Sequence, residues 1–330
     1  MPVGALAAAL IALAGCTTSK LLEEKQHAVE IDGVPFFAQE RYQCGPAALA
    51  TVLVYGGVDT SPEILVPQVY IPERKGSFQA ELMAATRSAE RFPYELVGGL
   101  DAMLAEIDAG NPVLVMQNLG LSWLPKWHYA VVIGYDPVSD EILLRSGTEP
   151  RHKESTRRFL YSWQRADYWA MVILRPGQLP ATAAADAYLN MLSASEGRVS
   201  AANLELSMAA AIGAFPGSAD LQFAGGNEAR LRNDPITAAR RYRAALALNP
   251  KHAGALNNYA DLFMAESCLA SAKSRITTAL ENVTPDSPLY ATVQATSQEI
   301  EAGARLARGL EDTGALCATL ANPGLANTRP

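Results

Sequence analysis

Val34-Pro35-Phe36-Phe37-Ala38-Gln39-Glu40-Arg41-Tyr42-Gln43-Cys44-Gly45-Pro46-Ala47-Ala48-Leu49-Ala50 is the stretch on which the reading of the fold turns. An extended apolar run ends in polar residues, and a cysteine then stands where a helix begins. Pro46 suits a first helical turn, Ala47 to Tyr55 reads as a mostly apolar helix, and Gly56-Gly57 ends it. A thiol in that place feels the positive end of the helix dipole, which favours the thiolate. To act as a nucleophile, Cys44 needs a base, a group that orients the base, and an oxyanion hole.

Outward from this stretch, Ile31 to Phe37 is expected to be a short strand or extended segment. On the other side, Asp59-Thr60-Ser61-Pro62-Glu63 offers helix-capping groups. Further helices are expected over Gln79 to Glu90 and Leu100 to Ala109, the latter closed by Gly110-Asn111-Pro112. The apolar period then changes. Val113 to Gln117, His128 to Tyr135, a strand starting at Glu141 to Leu144, and Tyr168 to Leu174 read as strands, with a turn cluster at Asp136-Pro137-Val138-Ser139-Asp140. Helices followed by an antiparallel sheet make an α+β pattern. Arg175-Pro176-Gly177-Gln178-Leu179-Pro180 breaks it, which places a domain boundary near residue 180.

The chain has four histidines. His27 falls in a polar tether, His152 in a charged segment and His252 in the helical second half. His128 opens an apolar strand, where a side chain reaches a cleft edge. The Gln…Gln-Cys-Gly-Pro-Ala-Ala-Leu-Ala stretch together with His128-Tyr129-Ala130-Val131-Val132-Ile133-Gly134-Tyr135-Asp136 resembles the bacteriocin-processing cysteine peptidases of the papain-like clan. The resemblance covers residues 34–174. It implies a papain-like fold, Cys44 as nucleophile, His128 as general base and Gln39 as oxyanion donor alongside the Cys44 backbone N–H. Where that family usually carries Asp or Asn on the strand after the histidine strand, this chain reads Ile142-Leu143-Leu144-Arg145-Ser146-Gly147-Thr148-Glu149. Asp136 stands eight residues of extended strand from His128, about 26 Å away, too far to help. The turn at 137–140 brings residues 146–149 back opposite His128. Ser146, Thr148 and Glu149 are therefore the candidates to hold the imidazole, with Ser146 the first choice. Trp123, Trp127 and Tyr129 flank the histidine, as groove wall or as core.

Beyond residue 180 the chain is Ala-rich and helical. Pro216 and Pro250 each close an amphipathic helix, and 34 residues separate them. Leu204, Met208 and Ala211 precede the first proline at the same offsets as Ala238, Tyr242 and Ala245 precede the second. Ala272, Ile276 and Ala279 precede Pro285 in like manner. This resembles the tetratricopeptide repeat, a helix–turn–helix of that length. The expected fold is an α+β papain-like peptidase domain over residues 31–178, followed by an all-α tetratricopeptide-repeat solenoid with a capping helix over 185–310, and a loose tail over 311–330.

At the other end, residues 1–15 carry no charged side chain and are too short to span a bilayer. Leu13-Ala14-Gly15-Cys16 resembles a lipobox, which implies a signal peptide over 1–15, a lipid on Cys16, and a polar tether over 16–30. Thr17 after the cysteine favours the outer membrane, facing the periplasm. A net charge of −7 argues against nucleic-acid partners. No phosphate loop or zinc spacing is present, so no cofactor is expected. Cys268 and Cys317 are left as a possible pair or as two free thiols. The function expected is a lipid-anchored cysteine peptidase acting on peptides or proteins, with repeats that hold a substrate or protein partner. The rivals are a non-catalytic binding lipoprotein with the same shell, and a thiol amidase or transferase acting on cell-wall peptides.

Overall fold

Apolar runs of strand period must pair their backbone groups, and here they do so in one antiparallel sheet packed on a buried helix. The computed structural model describes residues 22–38, 43–74, 76–307, 309 and 311–322. In chain order, β1 (Val29–Glu30) precedes α1 (Cys44–Tyr55), α2 (Pro62–Val69) and α3 (Gln79–Ser88). Then come β2 (Phe92–Glu95), α4 (Gly99–Asp108), β3 (Val113–Asn118), β4 (Trp127–Asp136), β5 (Glu141–Ser146), β6 (Glu149–Ser155), α5 (Thr156–Gln164) and β7 (Ala170–Leu174). The strand order is β2-β7-β3-β4-β5-β6, with β1 added to β4. Central β4 is almost wholly apolar and buried, as a strand covered on both faces must be. Helix α1 packs against it and is buried from Gly45 to Leu53.

The expected helices and strands are present with shifted ends. Helix α3 stops at Ser88, and Glu90 beyond it adopts a left-handed φ of 57°. Strand β7 starts at Ala170 because Asp167 and Tyr168 are both left-handed. Ile31 to Phe37 is not a strand; the pairing residues are Val29 and Glu30. Three elements carry weak sequence signals. Strand β2 contains Pro93, which an edge strand tolerates. Strand β6 is the charged edge Glu149-Pro150-Arg151-His152-Lys153-Glu154-Ser155, with no apolar alternation. Helix α5 buries Phe159 and Trp163 between its arginines. The described part of the expected tether is docked instead: Leu22 is buried and the Lys25 ammonium pairs with Asp108.

The rest is helical: α6 (Ala185–Ser193), α7 (Ala201–Ala214), α8 (Ala219–Leu231), α9 (Pro235–Leu248), α10 (Ala253–Ala265), α11 (Leu269–Glu281), α12 (Tyr290–Leu306) and α13 (Cys317–Ala321). Met208, Tyr242 and Ile276 are buried at equivalent places, as are Ala211, Ala245 and Ala279. Gly226 lets α8 press on the Tyr242 ring, which a Cβ would meet at 2.5 Å. One apolar core runs from the sheet into α6, α7 and the start of α8; a second begins at Ala229 and ends at Leu320. Two carboxylates, one on α4 and one just after α3, hold the chain that follows residue 180. Glu106, fully buried, accepts from the Ala181 and Thr182 backbone and from the Thr182 hydroxyl. Glu90 accepts from Ser200 and Asn203 at the start of α7. Cys268 and Cys317 form a disulfide. With the Tyr259 hydroxyl bonded to the Leu320 carbonyl, the described residues 311–322 are pinned to the helices rather than loose.

Candidate active site

Cys44 is the first residue of α1, and Gly45 allows that turn to approach Ser77, whose Oγ would lie 2.4 Å from a Cβ there. The Tyr129 hydroxyl donates to the Ser77 carbonyl at 3.2 Å, and its ring meets Trp169 edge-on at 5.9 Å. These contacts hold the first turn of α1 at the mouth of β4. The backbone N–H groups of Tyr129, Gly45 and Cys44 itself lie near the Cys44 thiol and favour its charged form. Tyr129 follows His128 in the chain, so thiol and imidazole share the mouth of that strand.

On the far side of the imidazole, His128 Nε2 lies 2.9 Å from Ser146 Oγ. Val131 pairs with Arg145 in the β4–β5 ladder, which sets Ser146 diagonally across from His128. Thr148 and Glu149 do not take this place: Glu149 bonds His152 Nδ1 at 2.9 Å. With Nε2 on Ser146, Nδ1 is the nitrogen left to accept a proton. This requires Ser146 Oγ to accept from Nε2–H, because a serine that donated there would leave the proton on Nδ1.

Electrostatics departs from the helix-dipole expectation. Burial pushes the Cys44 thiol up, and the three backbone N–H groups only oppose it. Burial, aided by the positive charge of Lys126, pushes His128 down to about 4. The resting pair at neutral pH is therefore thiol and neutral imidazole, not thiolate and imidazolium. An imidazole in that state has a free nitrogen lone pair and can accept a proton.

Gln39 and Cys16 lie outside the described residues. Asp136 is at the far end of β4, its carboxylate accepting from Val138 N–H. Tyr129 is core, whereas Trp123 and Trp127 are exposed. Gln117 was not expected at the site. It stands directly across the β3–β4 ladder from His128, is buried, and donates to Glu154 and Ser162. Its only sequence signal is a polar residue ending an apolar strand. Among the described residues no cluster of three or more metal-ligating side chains occurs. No described helix is long and apolar enough to cross a membrane.

No curated protein matches the chain. Among solved structures it is similar to a C39-like peptidase from Bacillus anthracis, at 18% identity and TM-score 0.39, over 46% of this chain and 98% of that one. The peptidase domain of Streptococcus ComA, a bifunctional ABC transporter of a quorum-sensing pathway, matches at 18% identity and TM-score 0.33, over 45% and 98%. The Yersinia enterocolitica type III secretion chaperone SycD matches at 14% identity and TM-score 0.33, over 38% and 91%. Residues 31–171 match the model of the Peptidase_C39 like family. Over residues 31–171 the chain is thus similar to that family, and its antiparallel sheet and cysteine-bearing helix fit a C39-like, papain-like domain.

Proposed function

We infer that the chain is a cysteine peptidase that cleaves peptide bonds through an acyl-enzyme on Cys44. The observation that carries this reading is the placement of Cys44, first residue of α1, beside the Tyr129 backbone, with His128 Nε2 on Ser146 in the same strand mouth. His128 Nδ1 takes the thiol proton as Sγ attacks the carbonyl carbon. The oxyanion that forms is met by the Cys44 backbone N–H at the positive end of α1, with the Gln39 amide as its second donor. The imidazolium then gives its proton to the leaving amine, the C–N bond breaks, and a thioester remains. Water, deprotonated by the same nitrogen, releases the acid and restores the thiol.

The helical half is a tetratricopeptide-repeat unit that holds a substrate or protein partner; the 34-residue recurrence of buried alanines and large apolar residues supports it. The sequence ahead of Cys16 supports a lipid anchor at the outer membrane, facing the periplasm. The Cys268–Cys317 disulfide is consistent with such an oxidising compartment. Metabolic labelling with a radioactive fatty acid, lost in Cys16→Ser, tests the anchor.

Alkylation of Cys44 by iodoacetamide across pH tests the catalytic pair. Base assistance predicts a rate that rises through about pH 4, where His128 loses its proton, and then stays level until the thiol itself ionises. His128→Ala leaves only the alkaline rise. An ordinary thiol profile in the wild-type protein overturns the reading. Turnover of a peptide library with Cys44→Ala as control then separates hydrolysis from transfer to another amine.

A further inference from the structure

Strands β3 and β4 do not end in a tight turn. They continue into an arm, residues 119–126, projecting from the mouth of β4. The Leu119 N–H donates to the Lys126 carbonyl at 2.9 Å, and Leu121 and Leu124 exchange both backbone bonds at 3.0 and 3.1 Å. The Asn118 side-chain oxygen accepts from the backbone N–H of both Gly120 and Lys126 at 2.9 Å, and the Arg165 guanidinium donates to the Asn118 carbonyl. The arm is thus hydrogen-bonded at base and tip. Yet its side chains are the wrong kind for water: Trp123 is 78% exposed, Leu124 64%, Leu121 52% and adjoining Trp127 51%. Lys126 is the only charged residue from 119 to 127. Large apolar side chains held out on an ordered element mark a contact surface.

Geometry says what the surface meets. Trp127 adjoins His128 in the chain, so the base of the arm and the imidazole-bearing residue lie at the same end of β4. Because His128 must protonate the leaving amine, the part of a substrate C-terminal to the scissile bond passes the imidazole side of the site. That is the side from which the arm springs. A lipid surface fits less well. The N-terminal segment is bound at the other end of β4, where Val29 pairs with Tyr135 and Lys25 lies over the Tyr135 ring. Seven residues of strand, about 23 Å, separate that end from His128. A lipid on Cys16, within about 21 Å of Leu22 along the chain, approaches from there.

We propose that residues 119–126 form a substrate-recognition arm that takes large apolar side chains of an extended peptide on the C-terminal side of the bond cleaved. The proposal rests on the Cys44–His128 peptidase reading. Its test uses the full chain and internally quenched peptides that differ only in the two residues after the scissile bond, Leu-Phe against Ser-Ser. Burial of such side chains predicts a kcat/KM ratio of about ten or more for the wild-type protein. In the double variant Trp123→Ser, Leu124→Ser the ratio falls towards one, and Trp123→Phe alone retains it. Binding of the Leu-Phe and Ser-Ser peptides to the Cys44→Ala protein, read by fluorescence, needs no turnover. Selective binding that depends on Trp123 with no hydrolysis in wild type sustains the arm and overturns the peptidase reading. A ratio unchanged in the double variant overturns the arm. So does an arm-dependent flotation with phosphatidylcholine–phosphatidylglycerol vesicles accompanied by unchanged peptide selectivity, which would make the arm a membrane contact.

Discussion

Replacing Ser146 by alanine removes the oxygen that lies 2.9 Å from His128 Nε2. What is lost is one neutral side-chain hydrogen bond, about 0.5–1.5 kcal/mol. If that bond holds the imidazole with Nδ1 free, the loss appears in the transition state, as a fall in kcat/KM of roughly twofold to tenfold. Ser146→Asp works in the opposite direction. A carboxylate can only accept from Nε2, so it selects the required tautomer, and its charge-assisted bond is roughly twice as strong. It also stabilises the imidazolium, which burial now disfavours. The group that must be deprotonated for activity then titrates higher, so the acid limb of kcat/KM moves up from about pH 4 by about one to two units. Ser146→Asn, whose carbonyl accepts without a charge, keeps activity and leaves the limb in place. The assay is peptide hydrolysis from pH 3.5 to 8, read as the apparent value of the coupled thiol–imidazole pair. A Ser146→Ala protein with wild-type kcat/KM, or a Ser146→Asp protein whose acid limb stays near pH 4, refutes the reasoning.

Folding stability should follow His128 as well. Its imidazole takes up a proton near pH 6.5 when unfolded but resists until about 4 when folded. The contribution is complete above pH 6.5 and is lost as pH falls through that window, up to about 3 kcal/mol; urea titrations from pH 7 to 4 should show a shallower decline for His128→Gln. The Cys268–Cys317 bond closes residues 49 apart. Cys268→Ser, or reductant, should destabilise the second apolar core by up to about 4 kcal/mol, measured by calorimetry as a lower melting temperature of the α9–α13 region. Arg87 is buried, and its Nε finds no hydrogen-bond partner among the described residues. Arg87→Met should therefore raise stability by about 1–3 kcal/mol in denaturant titrations, whereas a functional need for the charge would show as lost activity. Gly226→Ala sets a Cβ against the Tyr242 ring and should cost about 1–3 kcal/mol by the same titrations.

The fold class was legible because the signals that carry it are local. A cysteine before Pro46 and an apolar helix, a histidine opening an apolar strand, and the change of period near Val113 are each contained in a few residues. The elements left unread, β2, β6 and α5, lie where no local pattern speaks: an edge strand with a proline, an edge strand of charges, and a helix whose apolar face is short. At the site, chain distance ruled out Asp136 from strand length alone. It left Ser146, Thr148 and Glu149 open, since only the β4–β5 register says which side chain meets the ring. Cys268 and Cys317 posed the same problem across 49 residues.

The sequence by itself therefore determined the antiparallel α+β framework, the helix that carries Cys44 and the strand that carries His128, because helix ends and apolar periods are properties of neighbouring residues. Tertiary structure alone decided that Ser146 faces the imidazole, that Tyr129 is core while Trp123 is exposed, and that burial leaves thiol and imidazole neutral at rest. Each of these depends on which distant groups exclude water from a given atom, and no spacing along the chain contains that information.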